Sequence, residues 1–456
     1  MTFIIVPPPT IYSMKQLIFI FFSCTYIAAA NADNITFADN YVKTICVEHW
    51  DTNGDNELSE EEASSITSLT NIFTADTNIT SFEELRYFTG VKKLLTSEFA
   101  ECSNLYKLQL PPQLQTIGEN AFRSCTNLQT IIIPQTVKEI GKYAFNGCVM
   151  LEEAQFHEGL TTIGTMAFVY CRSLQGLSIP ASLTNISTGA FRGCSSLSII
   201  TVSPDNPVYD SREDCNAIIE TQTNTLVLGT YTTSFPKSVK AIGNQAFYGN
   251  GKVEAIDIPE GYESVGMSAF ANCTSLKTLT LPTTLTTINQ GAFNGCSNLT
   301  DVQLSNGLMT IEPSAFEHCH SLKSISLPNT VSKLSSSAFY FCSSLVEVTV
   351  GFTTPLVITS TTFSNRKNAT LYVPPGCLEA FKSADYWKEF STIIEYFPKG
   401  DVNHDGMVNV LDVTLVIDYI LDKNPENFHY EEANVNGDEY INVLDVTLII
   451  DIILGK

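Results

Sequence analysis

Nine cysteines fall in one phase of a 23-residue period: Cys102, Cys125, Cys148, Cys171 and Cys194, then Cys273, Cys296, Cys319 and Cys342. A tenth unit keeps the rest of the pattern and has Asn250 in that place. A fixed period of this length is the signature of a solenoid, in which each unit buries its apolar edge only against its neighbours. Such an array offers a long, shallow surface suited to binding, and does not of itself supply a closed reaction pocket.

The unit Leu160 to Pro180 shows how one rung is built. Leu177 and Ile179 alternate with Ser178, which predicts a short strand with one buried face. Pro180 ends it, because proline cannot donate to a sheet ladder. The stretch Leu160 to Phe168 spaces its apolar residues by three to five and predicts a helical or irregular return path. Phe168 fills the rung's interior, and the same residue recurs as Phe99, Phe122, Phe145, Phe191, Phe247, Phe270, Phe293, Phe316 and Phe339. One strand per rung at about 4.8 Å predicts a stack on the order of 50 Å long. The period breaks once, between Phe191 and Phe247. An insert at 203–235 carries two β-prone runs around Thr221 to Asn224, read as a hairpin projecting from one rung.

These Ala-Phe-x-x-Cys-x-x-Leu units with a strand-ending proline resemble the BspA-type leucine-rich repeat of bacterial surface proteins. The resemblance implies an α/β leucine-rich-repeat solenoid, and adhesion or partner binding without fixing the partner. It assigns no binding residues on the solenoid, whose expected ligand is an unidentified protein or glycan.

Near the N-terminus, Met14-Lys15 precedes an apolar run from Leu17 to Phe22, and Ala30-Asn31-Ala32 fits the small-x-small cleavage rule. The expectation is an export signal over 1–32, with Met14 as the true start, and a secreted or cell-surface protein. No later stretch is long and apolar enough to span a bilayer. The formal net charge of −23 argues against nucleic acid and anionic membrane as partners. Export raises the disulfide question. A cysteine on every rung reads instead as a ladder of small buried thiols, since the repeat accepts Asn or Cys there. Cys46, Cys215 and Cys377 lie outside the phase, and the sequence leaves their state open.

Three acidic loops share one ligand logic. Calcium takes six to eight hard oxygens, and a twelve-residue EF-hand loop supplies them from positions 1, 3, 5, 9 and 12, with a backbone carbonyl at 7. The first loop has Asp51, Asn53, Asp55, Glu57, Ser59 and Glu62 in those places, with Glu57 at the carbonyl position. Asn56 stands at position 6, where Gly is usual; Asn tolerates the left-handed backbone needed there. Asp39 to Trp50 and Glu61 to Phe73 are the expected flanking helices. The other two loops are near-copies: Asp401, Asn403, Asp405, Met407, Asn409 and Asp412, then Asn434, Asn436, Asp438, Tyr440, Asn442 and Asp445. Each runs through Asn-Val-Leu-Asp into an apolar helix. With 12 acidic and 2 basic residues from Asp401 onward and little core, this segment is expected to fold with help from metal.

The C-terminal pair closely resembles a type I dockerin, which implies docking to a cohesin-like module. By position Val410, Leu411, Val443 and Leu444 and the helices after them would carry that contact, and their apolar character leaves the cognate partner open. The short linker Pro398-Lys399-Gly400 keeps open the alternative that the tail packs on the solenoid's cap. Asn434 departs from the usual Asp, and Glu439 from the usual Gly, so the second site is expected to bind more weakly.

His49, His157, His318, His320, His404 and His429 are scattered, and none sits in a nucleophile or zinc motif. The expected divisions are therefore 1–32, signal; 33–90, a cap with the EF-hand-like loop; 91–370, the solenoid; 371–398, a C-terminal cap whose apolar residues from Leu378 to Tyr396 have helical spacing; and 399–456, a small all-α calcium module. The functional expectation is a secreted, non-catalytic binding protein. The alternative is an accessory or catalytic member of an extracellular polysaccharide-degrading complex.

Overall fold

A computed structural model describes residues 33–454; the export-signal expectation lies outside the described residues. The repeat units stack as rungs. In the strand Gly176–Ile179, Leu177 and Ile179 are buried and Ser178 is exposed. It pairs in parallel with Ile199–Val202, one period on, with Leu177 opposite Ile200. One strand per rung is not the whole design, because a second parallel ladder of two-residue strands runs along the return path. Lys93–Leu94, Thr116–Ile117, Glu139–Ile140, Thr162–Ile163 and Asn185–Ile186 form its first five-stranded sheet. Two residues are too few to display a period, which is why that path reads as irregular from sequence.

Between the ladders the phenylalanines stack face to face. Phe73, Phe99, Phe122, Phe145, Phe168 and Phe191 form one column, and Phe247, Phe270, Phe293, Phe316, Phe339 and Phe363 a second. Neighbouring ring centres lie 4.7 to 5.4 Å apart, within the range for offset aromatic pairs. Backbone bonds hold the register. Phe122 N donates to Ala144 O and Phe145 N to Ala167 O, each at 2.7 Å, and the alanines are small enough to be buried there. Each ladder cysteine donates its thiol to a phenylalanine carbonyl of the preceding rung, as Cys148 Sγ does to Phe122 O at 3.1 Å. All twelve cysteines described are buried and free, including Cys46, Cys215 and Cys377. Burial pushes the thiols of Cys102, Cys194, Cys273 and Cys342 up to about 12, so they are unreactive core groups.

The insert does form a hairpin, Ala217–Glu220 with Thr225–Gly229, but the hairpin does not project. Thr225–Gly229 pairs in parallel with Ala241–Ile242, so it is wedged into the stack as an extra strand. Gly229 N donates to Ala246 O at 2.9 Å, the bond a phenylalanine N–H makes in regular rungs. Glycine is required there, since a Cβ would lie 2.2 Å from the Phe247 ring. Before the tail, the buried apolar residues accordingly fall into two clusters, one from Ile35 to Ile218 and one from Cys215 to Phe390.

Both ends are closed. The helix Asn40–Trp50 starts at Asp39, whose side chain accepts from Tyr41 N and Val42 N. Trp50 packs its ring edge-on to Phe88 at 5.1 Å. The second expected helix is only Glu60–Ser65; Phe73 beyond it is drawn into the aromatic column instead. At the other end the helical expectation for Leu378 to Tyr396 is also shortened. A helix spans Leu378–Ser383, and the β-branched run Thr392–Glu395 adds a parallel strand to Thr370–Val373. Trp387 is fully buried and donates Nε1 to Leu356 O at 2.8 Å. Among the described residues no helix is long and apolar enough to cross a membrane.

Candidate calcium centres and docking face

The tail beyond Pro398 holds two eleven-residue helices, Val410–Ile420 and Val443–Ile453, packed around Val402, Val416, Ala433, Val446 and Ile449. Each begins at an Asn with a capping box. Asn409 Oδ1 accepts from Leu411 N and Asp412 Oδ2 from Asn409 N, both at 2.8 Å. Asn442 and Asp445 repeat this with 2.8 and 2.9 Å. Loop positions 9 and 12 thus start the helix as well as facing the loop.

In the loop Asp401 to Asp412 the candidate ligands converge. Asp412 Oδ1 accepts from Val402 N at 2.7 Å, Asp401 Oδ2 from Gly406 N at 3.0 Å, and Asp405 Oδ1 from Met407 N at 2.9 Å. Asn403 Oδ1 accepts from Asp405 N at 2.9 Å. Met407 exposes its side chain and presents only its carbonyl to the loop, bonded by Asn409 Nδ2. Burial, together with the charges of Asp412 and Asp405, raises the Asp401 carboxyl above its ordinary range. Three carboxylates gathered in a partly dry loop repel one another, and a hard dication relieves that repulsion.

The loop Asn434 to Asp445 keeps the same frame, with Asp445 Oδ1 accepting from Val435 N at 2.9 Å, Asn436 Oδ1 from Asp438 N at 2.9 Å and Tyr440 N donating to Asp438 Oδ1 at 2.7 Å. It differs at its first position. Asn434 turns its Nδ2 to Asp438 O at 2.6 Å, and its Oδ1 is a buried acceptor without a donor among the described residues. Gly406 has φ +87°, whereas Glu439 at the equivalent place is not left-handed and makes no matching bond to position 1. An orphaned buried oxygen facing a loop of carboxylates fits a cation that seeks oxygen.

The N-terminal loop is built alike. Asp51 accepts from Gly54 N at 2.7 Å and Asn56 N at 2.9 Å, with Asn56 at φ +64° as its side chain permits. Asn53 Oδ1 accepts from Asp55 N at 2.8 Å, and Asp55 Oδ1 from Glu57 N at 2.9 Å. Glu57 sends its carboxylate outward to Lys43 at 2.7 Å, leaving its carbonyl for the loop. Against the desolvation that raises it, hydrogen bonds from Ser59 and Thr52 hold Glu62 down at about 2.

Val410, Leu411, Val443 and Leu444 are 68, 61, 68 and 52% exposed. They are not covered by the solenoid's cap; the tail lies near the cap elsewhere, where a Cβ on Gly406 would come within 3.6 Å of Pro375. Met407, Tyr440, Leu421 and Leu454 extend the same exposed apolar set.

The family model for the BspA-type leucine-rich repeat region matches in six copies over residues 70–198 and 231–371. That for the dockerin type I domain matches residues 399–454. Among solved structures, the chain resembles the pneumococcal vaccine antigen PcpA at 23% identity, covering 68% of this chain and 78% of that one with a TM-score of 0.59. It also resembles a leucine-rich cell surface protein of Faecalibacterium prausnitzii at 27% identity, covering 57% and 77% with a TM-score of 0.48. No curated protein sequence matches it.

Proposed function

Since this chain belongs to the family of BspA-type leucine-rich-repeat proteins and ends in a type I dockerin module, which is a calcium-binding module, we propose that it is a secreted, non-catalytic binding protein. In this reading the solenoid recognises an extracellular macromolecule, and the tail docks to a cohesin-like module when calcium fills its loops. Asp401, Asn403, Asp405, Asn409 and Asp412 with the Met407 carbonyl would hold one ion. Asn434, Asn436, Asp438, Asn442 and Asp445 with the Tyr440 carbonyl would hold a second, more weakly. Asp51, Asn53, Asp55, Ser59 and Glu62 with the Glu57 carbonyl would hold a third, which stiffens the solenoid's front cap.

One observation carries the docking half. Two near-identical capping-box helices each present a Val-Leu pair to solvent, at Val410-Leu411 and Val443-Leu444. Exposed apolar patches of this kind, repeated at the start of two helices, suit a protein–protein contact. The test is capture of cohesin-like modules by the full chain, with calcium and with chelator. Capture that needs calcium and is lost on Leu411→Asp with Leu444→Asp is the expected result. Capture indifferent to both would remove the docking role.

A further inference from the structure

The tail gathers His404, His429 and Glu432 into a cluster that the calcium reading does not use. One ligand atom from each lies within 4.8 Å of the others. His404 stands at the fourth position of the first tail loop. His429 caps the short helix Tyr430–Ala433, and Glu432 is three residues on, on the same face of that turn. Backbone bonds tie the three segments together: His429 N donates to Val402 O at 3.0 Å, and Gly400 N to Glu432 O at 2.8 Å.

The geometry points to a transition-metal site, and we propose that His404, His429 and Glu432 bind one zinc ion, separate from the calcium loops. His404 Nε2 lies 3.0 Å from Glu432 Oε2, yet it is a buried nitrogen with no hydrogen-bond partner among the described residues. The two atoms are close without pointing at each other, as two ligands of one ion are. Ligands about 2.1 Å from a tetrahedral zinc stand about 3.4 Å apart, so this pair would open by roughly 0.4 Å to hold one. The His429 ring lies against His404 with centres 3.4 Å apart, and Phe397 covers the opposite face at 3.7 Å. His404 is thus held in a sandwich; as they stand the two parallel rings do not both aim at one point, and binding one ion would open the His404–His429 stack, taking the ring centres from 3.4 Å to about 5 Å apart.

The donor set selects the metal. Two imidazoles and one carboxylate suit zinc and its borderline neighbours, whereas calcium takes oxygen. Three protein ligands leave a fourth position for water or for a side chain of a partner. The ion would join the first tail loop to the segment that enters the second. Phe397 belongs to the chain leaving the solenoid, so zinc would also pin the tail to its support.

The experiment is a calorimetric titration of the calcium-saturated mature chain with zinc chloride in a non-chelating buffer. Uptake of one zinc per chain is expected, with anomalous scattering at the zinc edge placing it among the three residues. His429→Ala and Glu432→Gln lie outside the calcium loops and should leave calcium stoichiometry and helical dichroism unchanged. Each should weaken zinc binding by at least the 10–100-fold that outer-shell partners alone are worth. Three results would overturn the site: no zinc uptake by calcium-saturated protein, uptake unchanged in both variants, or uptake abolished instead by His318→Ala with His320→Ala on the solenoid.

Discussion

Phe145→Ala is the sharpest probe of how the rungs hold one another. Phe145 is fully buried, with ring neighbours Phe122 at 5.1 Å and Phe168 at 4.9 Å. Removing a buried phenylalanine side chain costs about 3–5 kcal/mol through lost transfer energy and the cavity left behind. Two lost ring pairs, at about 0.5–1.5 kcal/mol each, place this site at the upper end. Stability in a stacked array is a sum of rung and neighbour terms, so the loss should remain near its source. The insert sharpens that expectation, because Gly229 interrupts the aromatic column and the core lies in two clusters. Urea unfolding followed by amide hydrogen exchange reads both quantities. Rungs from Phe73 to Phe191 should lose about 4 kcal/mol of protection, while those from Phe270 to Phe363 keep theirs. A loss below about 1 kcal/mol, or one spread evenly along the chain, would refute the reasoning.

Three other outcomes follow from the same structure. Gly229→Ala should destabilise by about 1–3 kcal/mol, read by chemical denaturation, because its Cβ meets the Phe247 ring and the neighbours must shift. Glu62 is held at about 2 in the fold against an ordinary 4.5. Its stabilisation is therefore complete above pH 4.5 and is lost as pH falls toward 2; in chelator-treated protein the stability gap between wild type and Glu62→Gln should narrow across that window, by up to about 1.4 kcal/mol per pH unit. Asn434→Asp should raise calcium affinity at the second tail loop by restoring a carboxylate at its first position, seen as a tighter step in calorimetry.

Much of the architecture is legible in the chain because it repeats. The phenylalanine phase marks the regular rungs and the cysteine phase all of those but the one at Asn250, and both residues are buried where the period puts them. What escapes is whatever two residues or fewer encode. The Thr162–Ile163 ladder is too short to show alternation. Left-handed backbone recurs just before the ladder cysteine, as at Ser124, Tyr170 and His318, and only the glycines at 147, 193, 249 and 295 advertise it. The hairpin at the insert reads correctly as a hairpin, but nothing local says that its second strand pairs into the stack. The tail loops are legible because each is a continuous ligand list. His404 and His429 are not, since the closing of the module brings them together and no short-range spacing announces it.

The measurement closest to the centre of this account is a calcium titration of the chelator-treated full chain, by calorimetry with circular dichroism alongside. Three calcium ions should bind, the last of them more weakly, and helical signal should rise as the tail loops fill. No uptake, with no gain in helix, would contradict a calcium-ordered tail and with it the docking face that the tail presents.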